Sequence, residues 1–479
     1  MLSANHTNNS KLNYRKVTAY AIILLLCLSM TQIAFVFAAS TANVTVNPTQ
    51  VIGTNKLSTG FALGDDWRTW RDNTALRQLT QAGDFSLIRV VNHFFEPCTK
   101  WSDSSKTGTF DWANVDSLMQ KIFQSNAQPI ITLGYIDSKG LILPSGMALN
   151  PSTGLPYPDS FAAYCQEWVK HFKQTGMPVK YYEIMNEAWY YFYPNWNWNE
   201  AKAQNFLTLY TATYNAMHTE NSQVLVGNDA SMFKKFLDFW KTNGGKLDFF
   251  DFHKYDCDNL AMADSTVLSR ADTRFFISDS YRYGISEARQ KWGSNLVAVS
   301  SEFNWAAFSS QGTDPRIHQV VGSVQLTLYL RMCILDNVQY STYHSFSSSK
   351  SWELANKATG GFGFGMVNQD DNQPWYQYYA QYLIGHNLSV GDSLLETSST
   401  SNNVSVLSWI DGNTQNTLLI CRVDEPQTIR VQGLTGNLNL FKIDKTVSYL
   451  TPSIQHTQVD ANSALVMNGY SIILLQSNQ

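Results

Sequence analysis

Charge is scarce in this 479-residue chain: Asp, Glu, Lys and Arg together make up 15% of it, against about 25% in an ordinary soluble domain. The 34 basic residues are balanced by 38 acidic ones, a net charge of −4. That excludes the basic footprint of a nucleic-acid binder and the acidic run of a solvating tail. There is no Cys-x-x-Cys pair and no His/Cys/Asp/Glu group at metal-ligand spacing. No glycine-rich phosphate loop follows the first apolar strand, and no repeat or low-complexity tract occurs. Neither a cofactor nor a catalytic metal is implied.

What the chain has instead is apolar and aromatic. Hydrophobic residues are 44% of it and aromatics 13%, with 14 Trp, 24 Tyr and 26 Phe. A large core is therefore available, and whole-chain disorder is ruled out. Val17 to Ala39 carries no charge, and Lys11, Arg15 and Lys16 precede it. A basic flank before about 23 apolar residues reads as either a cleaved signal peptide or a retained membrane anchor over 1–39. Both place the rest of the chain outside the cytoplasm. Asn43, Asn387 and Asn403 open Asn-x-Ser/Thr triplets that become glycan sites in an exported chain. Five cysteines follow the leader residue Cys27: Cys98, Cys165, Cys257, Cys333 and Cys421. Their scatter reads mostly as buried small hydrophobes, with one disulfide left open.

Short apolar runs alternate with helical stretches. Strands are expected at 57–63, 86–91, 129–135, 180–186, 223–227, 247–252, 296–301 and 338–343. Helical connectors lie between them, such as 111–127, with Val115, Leu118, Met119, Ile122 and Phe123 on one face. This alternation predicts an α/β fold of parallel βαβ units, and eight strands fit a (β/α)8 TIM barrel over 50–387. After about residue 388 helical periodicity gives way to short strands between Gly and Asn turns. That predicts a C-terminal antiparallel β-sandwich over 388–479, with a further strand drawn from 41–49.

Barrel chemistry collects at the C-terminal ends of strands. The fourth expected strand ends in Asn186-Glu187, the seventh in Glu302-Phe303-Asn304, and the sixth in His253-Lys254-Tyr255. Strands four and seven face each other across the barrel mouth. Two carboxyls held about 5–5.5 Å apart can cleave a glycosidic bond with retention, one as proton donor and the other as nucleophile. An amide beside the acid can bind the 2-hydroxyl, and a tyrosine beside the nucleophile can keep it ionised.

Those motifs resemble clan A of the glycoside hydrolases, and within it family 39, which holds β-xylosidases and α-L-iduronidases. The family's fourth strand reads Glu-aliphatic-Trp-Asn-Glu-Pro, against Glu183-Ile184-Met185-Asn186-Glu187-Ala188 here. Its seventh resembles Thr-Glu-aromatic-Asn, against Ser301-Glu302-Phe303-Asn304. The resemblance implies Glu187 as general acid/base, Glu302 as nucleophile and Asn186 on the 2-hydroxyl. His253 and Tyr255 would stand beside the carboxylates, and Arg89, His93 and Asn304 would line the substrate site.

The chain also departs from the pattern. Met185 and Ala188 replace Trp and Pro, Arg89 and His93 are four residues apart rather than two, and the strand-eight Trp is missing. His344, Phe346 and Trp352 are the candidates for that Trp's place.

The loop after strand four holds Trp189, Tyr190, Tyr191, Phe192, Tyr193, Trp196 and Trp198. Trp196 is the expected sugar platform, since aromatic faces suit the apolar faces of pyranose rings. Glu96 and Asp65-Asp66 read either as hydroxyl ligands or as helix caps. The segment 360–365 reads as a rim loop. The expected function is a retaining glycosidase acting on β-linked oligo- or polysaccharides, so the expected partner is a carbohydrate. Two rivals stand beside it: a catalytically inactive surface glycan-binding protein, and an endo-acting glucanase or mannanase of the same clan. Oligomeric state is left open.

Overall fold

A computed structural model describes residues 41–137, 140–229, 233–273, 284–307, 314–351, 363–446 and 453–478. The expected leader over 1–39, Trp352 and the first half of the 360–365 loop lie outside these residues. Among the described residues no helix is long and apolar enough to cross a membrane.

Eight parallel strands close into a barrel: Ser58–Leu63 (β1), Leu87–Val91 (β2), Gln128–Asp137 (β3), Tyr181–Asn186 (β4), Leu225–Asn228 (β5), Phe249–Tyr255 (β6), Val297–Asn304 (β7) and Tyr340–His344 (β8). Each pairs with its sequence neighbour, and β8 pairs with β1 to complete the ring. All eight expected strands are present, with ends displaced by a few residues. They were visible because a parallel strand is covered on both faces and so reads as a mostly apolar run; β2 and β4 are buried at every position, including Arg89 and Glu183. The 111–127 connector is the helix Ala113–Gln124, which buries Val115, Leu118, Met119 and Ile122.

Successive side chains of a strand alternate between the barrel interior and the helical coat. Leu87, Ile130, Tyr181, Phe249 and Val299 pack together as an apolar floor. Two residues further along the same strands come Arg89, Thr132, Glu183, Asp251 and Ser301, all buried. The interior thus changes from apolar to polar in one step towards the C-terminal mouth.

The C-terminal region forms one nine-stranded sheet. It is antiparallel except at one pair: the N-terminal strand Thr41–Thr54 runs parallel to Gln427–Gln432 while lying antiparallel to Ser393–Ser399. Strands are read from the sequence at 404–410, 417–423, 428–431, 437–443 and 470–475, and Ser393–Ser399, Gln455–Asp460 and Leu465–Met467 are additional to them. Ala42, Val44, Val46, Leu419, Met467 and Ile473 are among the side chains of its own core. The helix Val320–Leu335 is buried almost all round, as expected of a helix covered on every face. Its Arg331 Nε donates 2.8 Å to the carbonyl of Val406 in the sheet. Asp272 accepts from Arg331 at 2.9 Å, and from Arg422 and Ser405 at 2.7 Å each, tying sheet to barrel. Cys98, Cys165, Cys257, Cys333 and Cys421 are all buried free thiols.

Candidate active site

At the C-terminal mouth lies a cavity of about 1010 Å³, lined by Arg89, Asn186, Glu187, Tyr255, Glu302 and His344 among others. Strict alternation from Glu183 and Val299 would aim Met185 and Ser301 inward in place of Asn186 and Glu302. Two backbone irregularities change the aim. In β4, Met185 and Glu187 adopt left-handed backbone with φ of 61° and 50°, a conformation that costs of order 1–3 kcal/mol at a non-glycine residue. In β7 the register slips by one residue: Phe252 pairs with Ser300, but His253 pairs with Glu302. This β-bulge at Ser301 turns the next side chain inward, as bulges beside active sites do. Asp251 pins it, accepting from the backbone N–H of Ser301 at 3.2 Å and of Phe252 at 2.7 Å.

Beneath the cavity Arg89 is fully buried and its guanidinium is shared three ways. Nε and Nη2 reach Glu183 at 2.9 and 3.1 Å, Nη1 reaches Glu302 Oε1 at 2.8 Å, and Nη2 reaches Asn186 Oδ1 at 2.7 Å. Thr132 completes the Glu183 shell at 2.9 Å. With its oxygen held by Arg89, Asn186 keeps its amide nitrogen as the group that can meet a sugar hydroxyl.

Glu302 Oε2 accepts from Tyr255 at 2.6 Å. Burial opposes charge on Glu302, but His253, Arg89 and the Tyr255 bond outweigh it and hold the carboxyl well below the usual range. Glu187 is solvated differently: its Oε1 meets His253 Nδ1 at 3.3 Å, and the same nitrogen is 3.4 Å from Glu302 Oε2. Burial lowers the His253 pKa, but Glu302, the Glu187 contact and Asp229 raise it to about 10. One ligand atom from each of Glu187, His253 and Glu302 lies within 4.8 Å of the others, and Glu183, Asp229 and His253 form a second such group. A metal ion at either group would sit beside the fixed positive charge of Arg89, 2.8 Å from Glu302 and 2.9 Å from Glu183.

Other expected site residues fall elsewhere. Asn304 does not line the cavity. Its amide donates to the carbonyls of His344 and Phe364 and accepts from the Tyr343 hydroxyl and the Trp305 N–H, so its hydrogen-bonding capacity is spent on joining the end of β7 to β8 and the segment at Phe364. His93 sits on the turn Asn92–Phe94, its ring 3.8 Å from Phe94 and 4.2 Å from Tyr135. Those two rings line the cavity and His93 does not. Trp196 is 60% exposed and outside the cavity, packed 5.0 Å from Trp189; Tyr190 is the ring of that loop that reaches it. The left-handed backbone at Asn195 and Trp196 carries the latter away.

Of the strand-eight candidates, His344 lines the cavity, whereas Phe346 is buried 4.2 Å from Phe61. Burial lowers the His344 pKa, favouring a neutral ring. Glu96 accepts from Tyr164 at 2.6 Å, Asn92 at 2.7 Å and the Cys98 N–H at 2.8 Å, so it braces a loop. Asp66 ties the ends of β1 and β8, accepting from Gly64 at 3.0 Å and from the Ser347 N–H at 2.9 Å. Asp65 lines the cavity.

Glu183, Asp229 and Asp251 were not singled out from sequence. Asp229 directly follows β5, and reading the end of that strand as the others were read would have found it.

No protein-family model matches this sequence, and no curated protein matches it. Solved structures do. A family 39 β-xylosidase from Caulobacter crescentus superposes with a TM-score of 0.63 at 14% identity, over 92% of this chain and 100% of that one. A family 39 enzyme from Xanthomonas axonopodis pv. citri gives 0.60 at 14%, over 91% and 97%. A family 30 subfamily 8 xylanase from Clostridium acetobutylicum gives 0.58 at 14%, over 91% and 100%. The chain shares the barrel-and-sheet fold of these clan A glycoside hydrolases along nearly its whole described length.

Proposed function

We propose that the protein is a retaining glycoside hydrolase acting on β-linked oligo- or polysaccharides, β-xylosidase-like in its chemistry. One observation carries this reading: two carboxylates with oxygens within 4.8 Å of each other are solvated asymmetrically at the mouth of a barrel. Glu302 receives a guanidinium at 2.8 Å and a phenol at 2.6 Å, which hold it ionised as a nucleophile. Glu187 has only the long His253 contact among the described hydrogen bonds to its carboxylate, which suits a group that must give and retake a proton.

In the first step Glu187 protonates the glycosidic oxygen, the C1–O bond breaks and Glu302 bonds to C1. In the second, Glu187 takes a proton from water, whose oxygen displaces Glu302. Asn186 binds the 2-hydroxyl, where contact tightens as positive charge develops on the ring. The close spacing favours retention, because inversion needs about 6.5–9.5 Å to admit water. The neighbours described as β-xylosidase and xylanase support a neutral β-glycoside. The apolar stretch Val17 to Ala39 supports export, by cleavage or as an anchor.

The test is turnover of a panel of chromogenic glycosides and β-linked oligosaccharides by wild type and Glu302→Ala, with product stereochemistry read by NMR. Turnover with retained configuration, abolished in the variant, is expected. Inverted product refutes the double displacement. Sugar binding without turnover makes the chain a glycan-binding protein instead.

A further inference from the structure

Behind the catalytic pair is a buried carboxylate that the two-carboxylate mechanism does not use. Asp229 directly follows β5 and is 1% exposed. Its Oδ2 accepts the backbone N–H of Glu187 at 2.6 Å and lies 3.6 Å from His253 Nε2. Its Oδ1 is buried without a hydrogen-bond partner among the described residues, as is His253 Nε2. The other ring nitrogen of His253 is the one 3.3 Å from Glu187 Oε1. Asp229 therefore touches the acid/base residue twice, once through its backbone and once through an imidazole laid against its carboxyl.

We infer that Asp229 is the positioning residue of the acid/base: it holds the backbone of Glu187 in its left-handed turn and sets His253 against the Glu187 carboxyl. The need for such a hold follows from the backbone. A left-handed glutamate persists only where its surroundings over-determine it, and a short hydrogen bond to a carboxylate is among the stronger ways to do so. The neighbouring Asn228 contributes from the same strand, donating its amide to the carbonyls of Ile184 and Met185. The end of β5 thus clamps the end of β4 from both sides of Asn186. Glu302 shares the His253 contact at 3.4 Å but is also held by Arg89, Tyr255 and the bulge that Asp251 pins, so loss of Asp229 acts more on proton transfer than on nucleophilic attack.

This inference rests on the hydrolase reading, and its test separates the two. Leaving groups differ in their need for a proton: an activated dinitrophenolate departs unaided, an alkoxide or sugar does not. In Asp229→Ala, kcat/KM for a β-linked disaccharide should fall about a hundredfold, while that for the dinitrophenyl glycoside of the same sugar falls less than about threefold. Asp229→Asn, which keeps an oxygen for the Glu187 N–H, should recover part of the loss on the disaccharide. If the alanine variant fails to fold, as judged by circular dichroism, Asp229→Ser takes its place. Equal losses on both substrates mean a general structural role and overturn the inference, as does no loss on either. Wild type inactive on both sinks the hydrolase reading and this inference together.

Discussion

Replacing Arg89 by methionine removes the guanidinium that joins Glu183, Asn186 and Glu302, at similar length and without a new polar group. Glu183 is fully buried and keeps only its Thr132 bond at 2.9 Å. Stripping one partner from a buried pair costs about 3–5 kcal/mol, because the survivor stays charged and uncompensated. That is a large share of the roughly 5–15 kcal/mol that holds a typical domain folded. The double variant Arg89→Met/Glu183→Gln removes the orphan charge as well and should recover at least about 2 kcal/mol.

Activity should not recover with stability. Both variants still lack the 2.8 Å bond to Glu302 and the 2.7 Å bond to Asn186, and a hydrogen bond to a charged group is worth about 1.5–3 kcal/mol, roughly a tenfold to hundredfold loss in rate. Urea unfolding followed by tryptophan fluorescence reads the first quantity, and kcat on an aryl glycoside reads the second. A single variant less than about 1 kcal/mol below wild type would refute the reasoning. So would a double variant no more stable than the single, because the defect would then be lost packing and not a stranded charge.

Other outcomes follow from the same geometry. His253 has its folded pKa raised from 6.5 to about 10, so its contribution to stability is full below about pH 6.5 and is lost as pH rises through about 10; the thermal midpoint of wild type should fall between pH 7 and 10 more steeply than that of His253→Asn. Trp196→Ala should leave kcat/KM for small aryl glycosides within about twofold, since the ring lies outside the cavity, whereas Tyr190→Ala should raise KM several-fold, about 1 kcal/mol of ring contact. Asp272→Ala strands two arginines that are 18% and 20% exposed and should cost about 3 kcal/mol. Limited proteolysis would show the sheet cleaved before the barrel in that variant; unchanged susceptibility of both would contradict a tie through Asp272.

The barrel was legible because its strands are covered on both faces. Runs such as Leu87–Val91 and Tyr181–Asn186 have no exposed position, so they read as mostly apolar segments, each interrupted by a single charged residue, Arg89 or Glu183. Part of the C-terminal sheet was not legible for the opposite reason. Gln455–Asp460 has no fully buried position, so its residues carry no alternation to read. The aromatic loop after β4 announced rings but not their directions. Which of Tyr190 and Trp196 meets the cavity is decided by left-handed backbone at Asn195 and Trp196, which no composition reveals. His344 and Phe346 are likewise two polar-mouth candidates in sequence, and only the inward aim of the last residue of β8 separates them.

The site itself shows where a strand-end reading stops. It finds Glu187 and Glu302 as residues at the right place in the chain, yet ideal alternation would turn Met185 and Ser301 inward in place of Asn186 and Glu302. What converts position into function is two departures from regular strand: left-handed residues flanking Asn186 and one extra residue in β7. Each departure is held by a buried aspartate of a neighbouring strand, Asp229 just past β5 at the N–H of Glu187 and Asp251 within β6 at the N–H of Ser301. A carboxylate satisfies a strained N–H without adding bulk, and in this dry layer the bond is stronger than in water. The proposed chemistry therefore rests on four acidic side chains, not two. On the proposed mechanism Glu187 and Glu302 meet the sugar, while Asp229 and Asp251 keep the backbone from relaxing into the regular strand that would turn Asn186 and Glu302 away.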